Sequence, residues 1–247
     1  MTSDEVVNDL LGFEGLKIIQ RPDMLNFSLD SVLVADFAPI TKKIRRAVDI
    51  GTGFAPIPLF LSTRKKDLRI TAFEIQKEVA DIASRNISLN ALEATISILH
   101  EDFRHALRHL PPTSMDLITC NPPFFKYSRH SNVSGSEYKK LARHEVSISL
   151  EDIVVTSKKL LKDKGRLVMV HRAQRLDEVL LTLSKHAFSV KRLRLVHPRS
   201  GSEATMVLVD AANNAGQSMK VLPPLYVHED GSGAYSEETL RIFGKKR

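Results

Sequence analysis

The feature that most constrains this chain is a junction. The apolar run Met115-Asp116-Leu117-Ile118-Thr119-Cys120 meets Asn121-Pro122-Pro123-Phe124. The run has the length and composition of a buried strand. Two consecutive prolines can neither extend a ladder nor enter a helix interior, so the backbone leaves the sheet stiffly here. That stiffness fixes the Asn121 amide and the Phe124 ring in space at the end of a strand.

Upstream of the junction, strand and helix patterns alternate. Arg46-Ala47-Val48-Asp49-Ile50 is a buried strand that runs through Gly51-Thr52-Gly53 into a helix over residues 55–63. A second strand covers 68–74 and ends on Glu74, and a helix over 76–89 places Val79, Ile82, Ala83 and Ile87 on one face. A third strand covers 95–99, with Asp102 just beyond it. Downstream, Ser149 and Asp152 form a capping box that opens a helix, followed by a fifth strand at 166–170 and a helix around Leu176 to Leu183. The segments 188–196 and 204–209 read as an antiparallel hairpin. Alternation of this kind predicts an α/β fold, a mostly parallel sheet with helices on both faces. Before it, residues 1–15 read as a loose start, 16–20 as a short strand, and Asn26 to Phe37 as a helix capped by Ser28. The expected organisation is an extension over 1–40 packing across the ligand site, a main domain over 41–211 and a loop-rich basic tail over 212–247.

In an open parallel sheet, ligands bind beyond the carboxyl ends of the strands at the switch point. Asp49, the Gly51–Gly53 turn, Glu74 and Asp102 all fall there. The glycines let backbone approach a ligand closely, and Glu74 is placed to accept two hydrogen bonds from a ribose diol. A pyrophosphate-binding fingerprint would need a third glycine where Pro56 stands, and that proline removes one of the amides a phosphate would use. The pattern fits a phosphate-free nucleoside such as S-adenosylmethionine; the alternative is a tight strand–helix turn flanked by solvated acids.

At the junction itself, the Asn121 side-chain oxygen and the Pro122 carbonyl are acceptors for the hydrogens of a planar amino group, and Phe124 offers a ring for stacking. An exocyclic amino nitrogen is a poor nucleophile because its lone pair is delocalised. Acceptors on its hydrogens and alignment with a methyl donor serve it better than a strong base. Cys120 reads as core.

Charge adds a partner class. Residues 1–120 carry 14 Lys+Arg against 16 Asp+Glu, and residues 121–247 carry 22 against 13, so the net +7 arises entirely from the second part. Lys126, Arg129, Lys139, Lys140 and Arg143 cluster after the prolines, and Arg194 and Arg199 lie near the final hairpin. A basic half points to a polyanion such as structured RNA, although for any single cation a solvated surface is the plainer role. A single Cys excludes an internal disulfide and a cysteine-rich zinc site, and no metal is expected. No apolar stretch reaches spanning length and the acidic N-terminus lacks a secretory pattern, so a membrane partner is not expected and the cytoplasm is.

Val48-Asp49-Ile50-Gly51-Thr52-Gly53, Glu74, Asp102 and Asn121-Pro122-Pro123-Phe124 resemble the Rossmann-like class I S-adenosylmethionine-dependent methyltransferases that modify amino groups. Asn26-Phe27-Ser28-Leu29-Asp30-Ser31-Val32-Leu33 and Ala142-Arg143-His144-Glu145 narrow the resemblance to the bacterial valine-tRNA adenine-N6 methyltransferases. It covers most of the chain. It implies a seven-stranded sheet with a C-terminal antiparallel hairpin. It implies that Phe27, Asp30, Asp49, Gly51, Gly53, Glu74, Asp102 and Asn121 line the donor site, and that Asn121, Pro122, Pro123 and Phe124 hold the base next to the anticodon. Two positions depart from the family: Ala55 replaces the usual third glycine, and Phe124 stands where Tyr is common. Related groups methylate a protein glutamine or a guanine amino group, and a non-catalytic RNA-binding module is the remaining alternative.

Overall fold

The computed structural model describes residues 5–10, 13, 15–21, 24, 29–122 and 148–244. Two short strands, β1 (Val6–Asp9) and β2 (Lys17–Gln20), pair antiparallel and lead to helix α1 (Leu29–Phe37). The alternating region follows as β3 (Arg46–Ile50), α2 (Pro56–Arg64), β4 (Arg69–Glu74), α3 (Lys77–Leu89) and β5 (Ile96–His100). A 3₁₀ turn (Phe103–Arg108) and β6 (Met115–Cys120) come next. Beyond them are α4 (Leu150–Leu160), β7 (Leu161–Arg172), α5 (Leu176–Lys185), β8 (Phe188–His197) and β9 (Met206–Asn213). The end adds β10 (Lys220–Val221), β11 (Leu225–Tyr226) and α6 (Glu237–Ile242).

The main sheet runs β10-β8-β9-β7-β6-β3-β4-β5, with β11 also beside β8. Its seven long strands are parallel except β9, which is antiparallel to both β7 and β8. The expected α/β class and hairpin are therefore present. β10 and β11 extend the sheet outward by two residues each, parallel to β8.

Two apolar layers flank the sheet. On one face α1, α2 and α3 bury Val32, Leu33, Leu59, Phe60, Ile82 and Ile87, joined by Leu225, Val227 and Phe243 from the C-terminal segment. On the other, Phe103 and Ala106 of the 3₁₀ turn join Ile153 and Val154 of α4 and Val179 and Leu183 of α5. The Ser149 hydroxyl accepts from the Asp152 amide at 3.0 Å, and the Ser149 amide donates back to Asp152 at 3.2 Å, which closes the capping box read from sequence and contributes about 1 kcal/mol.

The N-terminal pair is held by Asn86 of α3 and by Asn90, the residue that caps the C-terminus of that helix. Asn86 accepts from the Ile19 amide at 2.6 Å and donates to the Ile19 carbonyl at 3.1 Å. Asn90 treats Lys17 the same way, at 2.9 and 2.8 Å. Alternate residues of a strand turn their amides to the same side, so two side chains four residues apart complete the ladder β2 lacks on that edge. β1 occupies the stretch read from sequence as a loose start. Its four residues are exposed, so burial writes no alternating pattern into Val6-Val7-Asn8-Asp9.

At the opposite end of the sheet, the fully buried Asp210 receives Nε of Arg166 at 2.8 Å and Nε of Arg192 at 2.7 Å. Arg192 also donates to the Phe37 carbonyl at 2.6 Å and lies 4.5 Å over the Phe37 ring. Among the described residues no helix is long and apolar enough to cross a membrane.

Candidate active site

β3 is the switch point. The chain steps outward from it through β4 to β5, then returns to its other side as β6. Ile50 stands in register with Phe73 of β4 and Cys120 of β6. The turn after β3, Glu74 and Asn121 therefore leave the same edge of the sheet within a residue of one another.

Gly51 and Gly53 adopt φ of 61° and 57°. A Cβ at either would meet no atom within 4 Å, so backbone conformation selects glycine there and the space above the turn is open. Ala55 follows at φ 65°, left-handed although it carries a side chain, and precedes Pro56 in the first turn of α2. The departure from a third glycine thus leaves the path of the backbone intact. Asn86 helps to hold it, donating to the Phe54 carbonyl at 2.9 Å.

Asp49 is fully buried and accepts from the Thr119 hydroxyl at 2.6 Å. Burial pushes its carboxyl up to about 7, against the pull of the Thr119 and Thr52 hydroxyls and with the Glu74 charge adding to the rise. The Thr52 hydroxyl is close enough to favour the anion but completes no hydrogen bond. Asp49 Oδ2 and Thr52 Oγ1 are both buried and unsatisfied. Orphaned polar atoms of this kind are costly, and here they sit beside an open glycine turn, as a site for a polar, cationic ligand requires.

Glu74 is also buried, at 5% exposure. Its Oε2 accepts from the Gly53 amide and its Oε1 from the Gln76 amide, each at 3.0 Å. Burial raises its pKa, while the amides of Gln76, Gly53 and Ile75 oppose the rise. Each oxygen keeps a second lone pair for a diol. Asp102 lies one strand further on. It caps the 3₁₀ turn by accepting from the Arg104 amide at 2.8 Å. The Arg104 guanidinium, at 2.9 Å from Nε to Oδ2, holds the Asp102 carboxyl below the usual range. Its carboxylate is thus engaged within its own turn.

Asn121 is half-buried at the end of β6, and Pro122 behind it is buried. The Asn121 amide nitrogen donates to the Ser31 hydroxyl on α1 at 3.2 Å. Asp30, next to Ser31, is half-buried in the first turn of α1. Cys120 is buried and its thiol is pushed well up by burial and by Asp49, as suits a core residue. Phe27, Pro123, Phe124, Lys126, Arg129, Lys139, Lys140 and Arg143 lie outside the described residues.

The two basic residues of the final hairpin differ. Arg194 donates to the Pro223 carbonyl at 2.9 Å and to Glu238 at 2.8 Å, so its guanidinium fastens the C-terminal segment to β8. Arg199 is exposed just past β8. Thr52, Thr119 and Ser31 were not singled out from sequence. The register of β6 against β3 could have suggested Thr119, one residue before Cys120 and opposite Asp49; no sequence signal pairs Ser31 with Asn121, 90 positions away.

A family model described as "Methyltransferase small domain" matches residues 30–193, more than half of the chain. The chain belongs to the methyltransferase small domain family. This methyltransferase is 27% identical over 241 residues to a Porphyromonas gingivalis protein named tRNA1(Val) (adenine(37)-N6)-methyltransferase, covering 95% of this chain and 93% of that one. An Aeromonas salmonicida protein of the same name is 27% identical, with 86% of each chain covered. Among solved structures, one described as a predicted O-methyltransferase from Agrobacterium tumefaciens is similar with a TM-score of 0.70 at 22% identity, over 87% of this chain and 95% of that one. P. horikoshii TYW2 in complex with MeSAdo is similar with a TM-score of 0.60 at 14% identity, over 87% and 73%.

Proposed function

We propose that this protein transfers a methyl group from S-adenosylmethionine to the exocyclic N6 of an adenine in tRNA, the target being position 37 of a valine tRNA as in the name its relatives carry. The observation that carries the reading is the juxtaposition at the switch point: an open glycine turn with two unsatisfied buried oxygens beside it, and an asparagine amide leaving the adjacent strand.

S-adenosylmethionine, when bound, supplies a methyl group on a positively charged sulfur. On the donor side, Glu74 holds a ribose diol, while Asp49 and Thr52 offer unsatisfied oxygens to the polar end of the ligand. On the acceptor side, the Asn121 oxygen and the Pro122 carbonyl accept the two amino hydrogens of the base. They draw the nitrogen toward a tetrahedral geometry, with its lone pair aimed at the methyl carbon. Phe124 stacks on the base and fixes its plane. These groups act by alignment rather than by proton abstraction: the N–C bond forms as the S–C bond breaks with its electron pair left on sulfur, and the methylated nitrogen then releases one proton to water. Arg199 and the cations that follow the prolines contact phosphates around the target. A tRNA substrate supports a cytoplasmic location.

The test is incubation with labelled donor and total tRNA, followed by nucleoside analysis. Label in N6-methyladenosine of valine tRNA is the expected result. Label confined to a protein glutamine or to guanine would overturn the substrate. Asn121→Ala should abolish transfer while leaving donor affinity, measured by calorimetry, within about threefold.

A further inference from the structure

We propose that Thr119 is the positioning residue that keeps the buried Asp49 carboxyl partnered in both of its protonation states, so that the acid can ionise when a cationic donor arrives. The inference rests on the proposed donor and deepens it at a residue no comparison assigns.

Asp49 and Thr119 are register partners on β3 and β6, so their side chains leave the same face of the sheet side by side. Both are fully buried. Thr119 Oγ1 lies 2.6 Å from Asp49 Oδ1 and 3.3 Å from the Val48 carbonyl oxygen. A hydroxyl carries one donor and two acceptor sites and rotates to suit its neighbours. With Asp49 ionised, the hydroxyl donates to Oδ1. With Asp49 protonated on Oδ1, the carboxyl donates to Oγ1, and the hydroxyl turns its own hydrogen to the Val48 carbonyl, which can only accept. Neither state strands Oδ1 or the hydroxyl in the interior, where an unmade hydrogen bond is costly. The bond to the anion is charge-assisted and the stronger of the two, so losing the hydroxyl harms the ionised state more.

Glu74 shows the other way to hold a buried acid. Its two oxygens take the amides of Gly53 and Gln76. Amides only donate, so they favour the anion outright. Asp49 has the hydroxyl instead, and its Oδ2 is unsatisfied, as is the Thr52 hydroxyl. Among the described residues the charge that bears on Asp49 is that of Glu74, which opposes ionisation. The Cys120 thiol, next to Thr119 on β6, is held neutral. The positive charge that ionises Asp49 is therefore supplied by the ligand, and Thr119 lets the proton leave without breaking the contact on Oδ1.

The experiment titrates S-adenosylmethionine into full-length wild type, Thr119→Val and Thr119→Ser by calorimetry from about pH 6 to about pH 9. Buffers of different ionisation heat count the protons released. Valine keeps the shape and loses the hydroxyl; serine keeps the hydroxyl and loses a methyl. Wild type should release a proton on binding at the acid end and none at the alkaline end, with affinity rising through about 7. In Thr119→Val the midpoint should move up by about one pH unit, and affinity at neutral pH should fall about fivefold. Thr119→Ser should titrate as wild type, even where its thermal midpoint is lower. In an Asp49→Asn background Thr119→Val should leave the profile unmoved, which separates Asp49 from Glu74. An unmoved midpoint in Thr119→Val, or a serine variant that titrates like the valine one, overturns the proposal. Should the wild type bind no S-adenosylmethionine, the functional reading fails by itself. The side-chain carboxyl carbon resonance of Asp49 in the ligand-free protein then decides on Thr119. Its titration moves upward in Thr119→Val and not in Thr119→Ser if the hydroxyl partners the acid, and equal titration in all three proteins rejects the proposal.

Discussion

The Gly53 amide donates to Glu74 Oε2 at 3.0 Å, joining the turn after β3 to the end of β4. With the Gln76 amide on the other oxygen, the carboxylate is fixed before any ligand arrives. A buried acid held by two backbone amides has little reorganisation left to undergo when a diol binds.

Glu74→Gln therefore does more than remove a charge. The amide nitrogen of glutamine cannot accept, so one of the two backbone donors loses its partner and a diol loses an acceptor. We expect donor affinity to fall by about 1.5–3 kcal/mol, the range for hydrogen bonds to a charged group. Calorimetric titration checks this, and an unchanged circular dichroism spectrum shows that the fold survives.

Asp49 makes a prediction about pH. Its folded pKa is raised from 3.8 to about 7 by burial. Between those values the folded state binds the proton and the unfolded state does not, so this group's contribution to stability falls as pH rises through that window. The ligand-free protein should lose stability from about pH 4 to pH 7 at this site, and Asp49→Asn should flatten that part of the profile. A cationic donor prefers the ionised carboxylate, so donor affinity should rise with pH through about 7 in the wild type and not in Asp49→Asn. Chemical denaturation and calorimetry across that range measure both.

Arg194 and Arg199 should separate cleanly. Arg199→Ala should leave stability unchanged and reduce the salt dependence of tRNA binding by about one phosphate contact, read as the slope of log affinity against log salt. Arg194→Ala should leave that slope alone. Its loss frees Glu238 and the Pro223 carbonyl, so protease sensitivity of the segment after β9 should rise.

Asp210 lies buried between Arg166 and Arg192. Asp210→Ala leaves two guanidinium groups near the interior with no counter-charge, and should cost about 3–5 kcal/mol of stability. Urea denaturation is the measure, and a loss below about 1 kcal/mol would show that Arg192 is held well enough by Phe37 alone.

Much of this fold is legible in the sequence because burial on both faces of a parallel sheet writes continuous apolar runs, and the helices between them write a 3.6-residue period. The strands ending in Ile50, Glu74 and Cys120 are of that kind, and with them come the positions of Asp49, Glu74 and Asn121. Exposed and very short elements leave no such trace: β1 is exposed, and β10 and β11 are two residues each. Net charge misleads for a related reason. Arg166, Arg192, Arg194, Lys158 and Lys162 all add to the basic half on paper, yet each is engaged with a group of the chain itself. What a polyanion meets is the remainder, which depends on who stands beside whom.

β9 is the last of the seven long strands to be synthesised, and it lies between two made before it. β7 and β8 touch each other only through it. While a ribosome is still building residues 206–213, the strands on either side wait with bare, hydrogen-bonding edges, and their half of the sheet cannot close. A chain cut short before Met206 would therefore not be a smaller enzyme; it would hold β7 with one bare edge and β8 with no strand partner on either side, primed to join its neighbours.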